Sequence, residues 1–156
     1  MTVEIDVKFD RAVAEETIRA AITEVARGGL PFVTTIVTAE GRVLAPTPNR
    51  VGQESDPTAH AEVAAIRDAC SELGLDGIRG GSLYTSCSPC TLCYVSAFYA
   101  GIDVIFYTVT REEAGSFGCD LRGTYTNYPN ETEGWGPGTA FIDLDDRLRP
   151  FAEWTS

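Results

Sequence analysis

Positive charge is scarce in this chain. Lys8 is its one lysine, and the scattered arginines bring the basic side chains to 12 against 23 acidic ones, a net charge of −11. Proteins that grip a phosphate backbone usually display a clustered Lys/Arg footprint, so the composition argues against tRNA, DNA and anionic membrane surfaces as partners. A small neutral molecule meets no such obstacle. Long apolar runs are missing too. No window approaches the ~20 apolar residues of a membrane span, and Met1-Thr2-Val3-Glu4-Ile5-Asp6 lacks a signal-like pattern, so a cytoplasmic location is expected. Histidine is reduced to a single residue, His60. The five cysteines, Cys70, Cys87, Cys90, Cys93 and Cys119, are odd in number, and three of them crowd into one short stretch. That is a poor disulfide framework and a good metal or redox cluster, and reduced thiols fit the cytosol.

At 156 residues the chain fits one domain, 1–156, without interdomain linker or repeat. Val3, Ile5, Val7 and Phe9 alternate as a short strand or extended arm would. Asp10 reads as the N-cap of a helix to about Arg27, stopped by Gly28-Gly29. Phe32 to Thr38 and Arg42 to Ala45 read as a hairpin through Ala39-Glu40-Gly41, followed by a loop from Pro46 to Ser55. Asp56-Pro57 is expected to open a helix that Gly74 ends. Ser82 to Ser86 reads as a strand, Pro89 to about Ala100 as a helix, and Ile102 to Thr108 as a strand buried on both faces. Tyr125 to Thr139 reads as a long functional loop. Thr139 to Leu144 is expected as a last strand, and Asp145 to Trp154 as a short terminal helix. The alternation of strands and helices predicts an α/β fold with parallel central strands.

The chemistry concentrates in His60-Ala61-Glu62 and Pro89-Cys90-Thr91-Leu92-Cys93. Each stretch falls where a helix begins, and first-turn side chains lean past a helix N-terminus, so two helix starts can meet around one ion. Their positive ends favour thiolates. His60, Cys90 and Cys93 supply three ligands, which leaves a tetrahedral zinc one position for water. Zinc lowers the pKa of such a water from about 15.7 towards about 7, and Glu62 is placed to act as general base and then general acid. H-x-E with P-C-x-x-C is the signature of zinc nucleobase deaminases. Two other readings compete. Cys90 and Cys93 alone match a thioredoxin-like redox pair, and His60, Cys87, Cys90 and Cys93 would make a closed structural zinc site. Neither gives Glu62 a task.

With their flanks, Asp56 to Arg67 and Tyr84 to Cys93, these motifs resemble the cytidine-deaminase superfamily, in particular its guanine-deaminase and tRNA-adenosine-deaminase branch. The resemblance covers Leu30 to Tyr107 well. It implies a three-layer α/β/α sandwich around a five-stranded mixed sheet, one zinc per subunit, and an aminated heterocycle as substrate. It also implies that Asn49 hydrogen-bonds the base, that Phe32 packs on its ring, and that Ala61 and Ser88 touch it. Taken alone, Asn49 also reads as a turn residue after Pro48, and Phe32 as a core aromatic. The run from Leu144 to Trp154 is similar to the tail of bacterial guanine deaminases, which covers an active site and in some members swaps onto the partner subunit. By that likeness residues 140–156 form a lid with Phe151 and Trp154 as its aromatics, one of Asp143, Asp145 or Asp146 (Asp146 first) approaches the substrate, and the protein is a homodimer. Taken alone, Phe151 and Trp154 also read as residues that dock the tail. Asp120 is a further substrate-binding candidate. Val33-Thr34, Ser88 and Leu92 depart from the family's usual residues, which leaves the ring open. Guanine leads, with cytosine, aminotriazine or a nucleoside as alternatives, and a tRNA adenosine further behind because of the acidity.

Overall fold

The computed structural model describes residues 9–119 and 136–155. Asp10 caps the first helix, α1 (Arg11–Ala26), by accepting from the backbone N–H groups of Ala12 and Val13 at 2.9 and 3.3 Å. The chain leaves that helix through Gly28, whose φ of +88° suits glycine. The other elements follow as β1 (Val33–Val37), β2 (Thr47–Pro48), α2 (Val51–Glu54), α3 (Ala61–Leu73), β3 (Ser82–Thr85), α4 (Thr91–Tyr99), β4 (Val104–Tyr107), α5 (Arg111–Ser116), β5 (Gly138–Phe141) and α6 (Arg149–Trp154).

The strands make one five-stranded mixed sheet in the order β2-β1-β3-β4-β5. β1 runs antiparallel to both neighbours, while β3, β4 and β5 are parallel. Side chains alternate across it. Tyr84, Val104 and Phe106 meet Val13, Ala14 and Ile18 of α1 on one face. Ile36, Leu83 and Ile105 meet Ala65 and Ala69 of α3 and Ala97 of α4 on the other. Helices thus cover both faces, which is why the central strands read as nearly unbroken apolar runs. The architecture is the expected three-layer α/β/α sandwich.

Several local expectations change. The expected second hairpin arm, Arg42 to Ala45, amounts to one bridge, Val37 to Val43, flanked by two backbone bonds, Leu44 N–H to Ile36 O and Thr38 N–H to Arg42 O, both at 2.9 Å. Pro46 has no N–H to continue the ladder, and pairing resumes at Thr47–Pro48 against Val33 and Thr34. The Pro46–Ser55 stretch therefore holds β2 and α2 rather than loop alone. The helix expected at Asp56-Pro57 begins at Ala61, because Asp56 Oδ1 accepts from the N–H and hydroxyl of Thr58 at 2.8 and 2.7 Å and closes a turn instead. α5 has no counterpart in the sequence reading, although Thr110 and Glu113 form a capping box at its start. The amino-terminal strand and most of the Tyr125–Thr139 loop fall outside the described residues.

Candidate active site

The delayed start of α3 makes His60 its N-cap residue, in an extended conformation, and Cys90 holds the same position on α4. Neither side chain caps its own helix, so both are available to meet between the helices. His60 Nδ1 lies 3.5 Å from Cys90 Sγ and 3.5 Å from Cys93 Sγ, and the two sulfurs are 3.4 Å apart. A tetrahedral ion with bonds of about 2.0–2.3 Å sets its ligands about 3.5–3.8 Å apart, so this donor triangle fits zinc with little adjustment. Among the described residues, the group able to hold a metal comprises His60, Cys90 and Cys93. Cys87 stands outside it, buried with Val109, Ala114 and Phe151. Among the described residues the closed four-ligand site therefore does not form, and three protein ligands come together. None of the five cysteines is in a disulfide.

Glu62, in the first turn of α3, is buried at 7% exposure. Its Oε1 accepts from the Thr85 hydroxyl at 3.2 Å, and its Oε2 accepts from the Cys93 thiol at 3.1 Å. Burial, and then the negative charge on Cys90, push its carboxyl above the usual carboxylate range. Its hydrogen bond with Cys93, with a lesser one to His60, holds Cys90 down to about 4, and the same pairing together with burial holds Cys93 up. His60 is raised by its hydrogen bond with Cys90. One thiolate is thus preformed.

These groups line a cavity of about 250 Å³. Phe32, Asn49, Ala61 and Ser88, four residues expected at the substrate, stand in its wall together with His60, Glu62, Cys90 and Cys93. Asn49 Oδ1 accepts from Val51 N–H at 3.1 Å, so the turn claims its oxygen and leaves its Nδ2 group to donate. Leu30, Val51 and Cys87 complete the wall; nothing in their local sequence marks them for it.

Residues 7–109 match the cytidine and deoxycytidylate deaminase zinc-binding region. The chain belongs to this family. It is a zinc-dependent hydrolytic deaminase. The guanine deaminase of Bacillus subtilis is 34% identical over 145 residues, spanning 90% of this chain and 92% of that protein. The X-ray structure of guanine deaminase from Bacillus subtilis superposes with a TM-score of 0.72 at 32% identity, over 94% of each chain. A tRNA-specific adenosine deaminase from Agrobacterium fabrum is 36% identical over 87 residues, 56% of this chain and 57% of that one.

The tail of this deaminase lies elsewhere than a lid would. Phe151 is fully buried and meets Phe32 and Phe117 at ring-centroid distances of 5.8 and 6.2 Å. Trp154 packs at the edge of the same cluster. Neither lines the cavity; both stand behind its Phe32 wall. Asp146 is turned to a separate groove shared with Arg11, Glu15 and Arg19 of α1, because the turn after β5 runs along that helix. Asp120 lies outside the described residues.

Proposed function

We propose that this deaminase acts on a free aminated heterocyclic base, with guanine first, converting its ring amine to a carbonyl and releasing ammonia. The observation that carries the reading is a three-ligand metal site with a buried, unliganded glutamate beside it. When bound, zinc supplies a water that is reactive at neutral pH. Glu62 takes one proton from that water and passes it to a ring nitrogen as the water oxygen bonds to the ring carbon. It then takes the second proton from the hydroxyl so formed and gives it to the amine, which leaves as ammonia while the carbonyl forms. Burial, which favours the protonated form of this carboxyl, suits a group that must both take and give a proton. Asn49 donates from Nδ2 to an acceptor on the base, Ala61 and Ser88 touch its edge, and Phe32 packs on its face. Similarity to a guanine deaminase along nine-tenths of the chain supports guanine over other rings.

A tRNA adenosine is the second reading, since similarity to tRNA-specific adenosine deaminases covers the motif region. The net charge of −11 argues against it. The test is ammonia release by zinc-loaded protein from guanine, cytosine, adenine, aminotriazines, their nucleosides and a tRNA anticodon stem-loop. Guanine should be turned over. Glu62→Gln should keep one zinc per chain and lose turnover by about 10²–10⁴-fold. Release only from nucleosides or the RNA would overturn the free-base reading.

We further infer a cytoplasmic, single-domain homodimer. No described helix is long and apolar enough to cross a membrane. α4 carries no charged residue and exposes Leu92, Phe98 and Tyr99. Two copies each bearing −11 repel least across a charge-free face of this kind.

A further inference from the structure

We infer that Thr34 and Thr85 form a hydroxyl pair that positions Glu62, fixing which of its oxygens carries the proton. The inference rests on the proposed role of Glu62 as the proton carrier. Thr34 and Thr85 are register partners across the antiparallel β1–β3 pair. Thr34 Oγ1 donates to Thr85 Oγ1 at 3.1 Å, and Thr85 Oγ1 donates to Glu62 Oε1 at 3.2 Å. All three residues are buried. The chain of donors therefore runs in one direction, from the sheet to the carboxylate.

Two features separate this pair from ordinary strand threonines. On the same sheet face the next inward positions are Ile36 and Leu83, both in the aliphatic core. Valine would fill the threonine positions equally well by shape and strand preference, and a buried hydroxyl is costly unless hydrogen-bonded. The second feature is the partner of Oε2, the Cys93 thiol. Among the described residues the two oxygens of Glu62 thus have different side-chain partners, Thr85 for Oε1 and Cys93 for Oε2. Thr85 pins Oε1 on the sheet side and leaves Oε2 facing the ligand triangle. Thr34 acts one step further back, keeping the Thr85 hydroxyl proton pointed at Glu62 rather than across the strands. Thr85 and Thr34 are positioning residues, and Oε2 is the oxygen that moves the proton.

The test uses the zinc-loaded full chain with guanine. Thr85→Val should lower kcat on the order of ten- to a hundredfold with KM nearly unchanged, since Thr85 is not part of the cavity wall while the carboxylate loses its alignment. Thr85→Ser, which restores the hydroxyl, should recover most of that loss. Thr34→Val should cost less, and nothing further in the Thr85→Val background, because both changes break one chain. Zinc content should stay at one per chain in every variant. A crystal structure of zinc-loaded Thr85→Val supplies a reading independent of turnover: Oε1 should leave its wild-type place. Wild-type kcat in Thr85→Val beside an inert Glu62→Gln would overturn the positioning role alone. So would an unmoved carboxylate, or additive losses accompanied by loss of zinc. Full activity in Glu62→Gln would instead overturn the proton-carrier reading beneath it.

Discussion

The rings of Phe32 and Phe151 meet edge to face, 5.8 Å between centroids and 79° between planes. Phe32 is a wall of the cavity and Phe151, in α6, is its backing. Truncating Phe151 to alanine should therefore do two things. A fully buried Phe→Ala change costs about 3–5 kcal/mol, read by chemical denaturation. The void also lets Phe32 tilt away from the base, so KM should rise more than kcat falls. Phe151→Leu should show both effects in milder form. An unchanged KM in a correctly folded Phe151→Ala protein would mean that the tail stabilises the chain without shaping the pocket.

Arg147 clamps the same tail. Its guanidinium donates to Glu113 at 2.9 Å, to Asp143 at 2.8 Å and to the Thr108 carbonyl at 3.2 Å, and it lies over the Phe141 ring at 5.2 Å. The hydrogen bond from Arg147 is the main cause holding the Glu113 carboxyl below its ordinary value. A carboxyl depressed by folding contributes stability above its unfolded pKa, about 4.3, and loses it as pH falls through the folded value. Arg147→Met should accordingly lower the thermal midpoint most near pH 7, and the gap to wild type should narrow below about pH 4. A gap of constant size from pH 7 to pH 3.5 would show that the Thr108 and Phe141 contacts, not the ion pair, hold the tail.

The metal triangle was legible because its parts are local. His60 and Cys90 take the same N-cap position on two helices, and Cys93 follows one turn later, so short motifs dictate where the side chains reach. The alternation that buries both faces of β4 was legible for the same reason. Thr34 and Thr85 were not, because a threonine in a strand looks alike whichever face it takes, and only the pairing of β1 with β3 brings the two hydroxyls together. The tail shows a different limit. Its residues allowed two readings, Phe151 and Trp154 over the substrate or docking the tail, and the structure has them docked, with Asp146 away from the cavity. Where a chain end docks depends on tertiary packing, and here the turn after β5 sends Asp146 along α1. α5 could have been read from Thr110-x-x-Glu113, a capping box without the long apolar stripe that usually draws the eye.

Metal removal should be visible in stability and in protons. The metal-free site holds one sulfur as a thiolate, with Cys90 at about 4, and the other as a thiol, with Cys93 well above its ordinary value. Zinc needs both as thiolates. Rebinding zinc near pH 7 should therefore release at least the Cys93 proton, seen as a buffer-dependent heat in calorimetry. Zinc held at a hundred times its dissociation constant should add about 2.7 kcal/mol to stability, reversed by chelator. Cys93→Ser should bind zinc far more weakly. A proton count of zero would mean that both sulfurs are already ionised without metal.

The uncharged surface of α4 gives the last expectation. Tyr99 is 80% exposed and Phe98 45%, with the two rings edge to face at 5.9 Å. Such a pair on a chain of net charge −11 is an unusual place for water to meet aromatic surface. If a second copy covers it, a glutamate there places two like charges across a symmetric interface, since an isologous contact repeats every substitution. Phe98→Glu should then shift sedimentation from dimer to monomer at micromolar concentration while the thermal midpoint of the chain changes little. Because Cys90 begins the same helix that ends at Tyr99, the monomer should also hold zinc less tightly if pairing steadies α4. Dimers that persist in Phe98→Glu would assign the contact to another face.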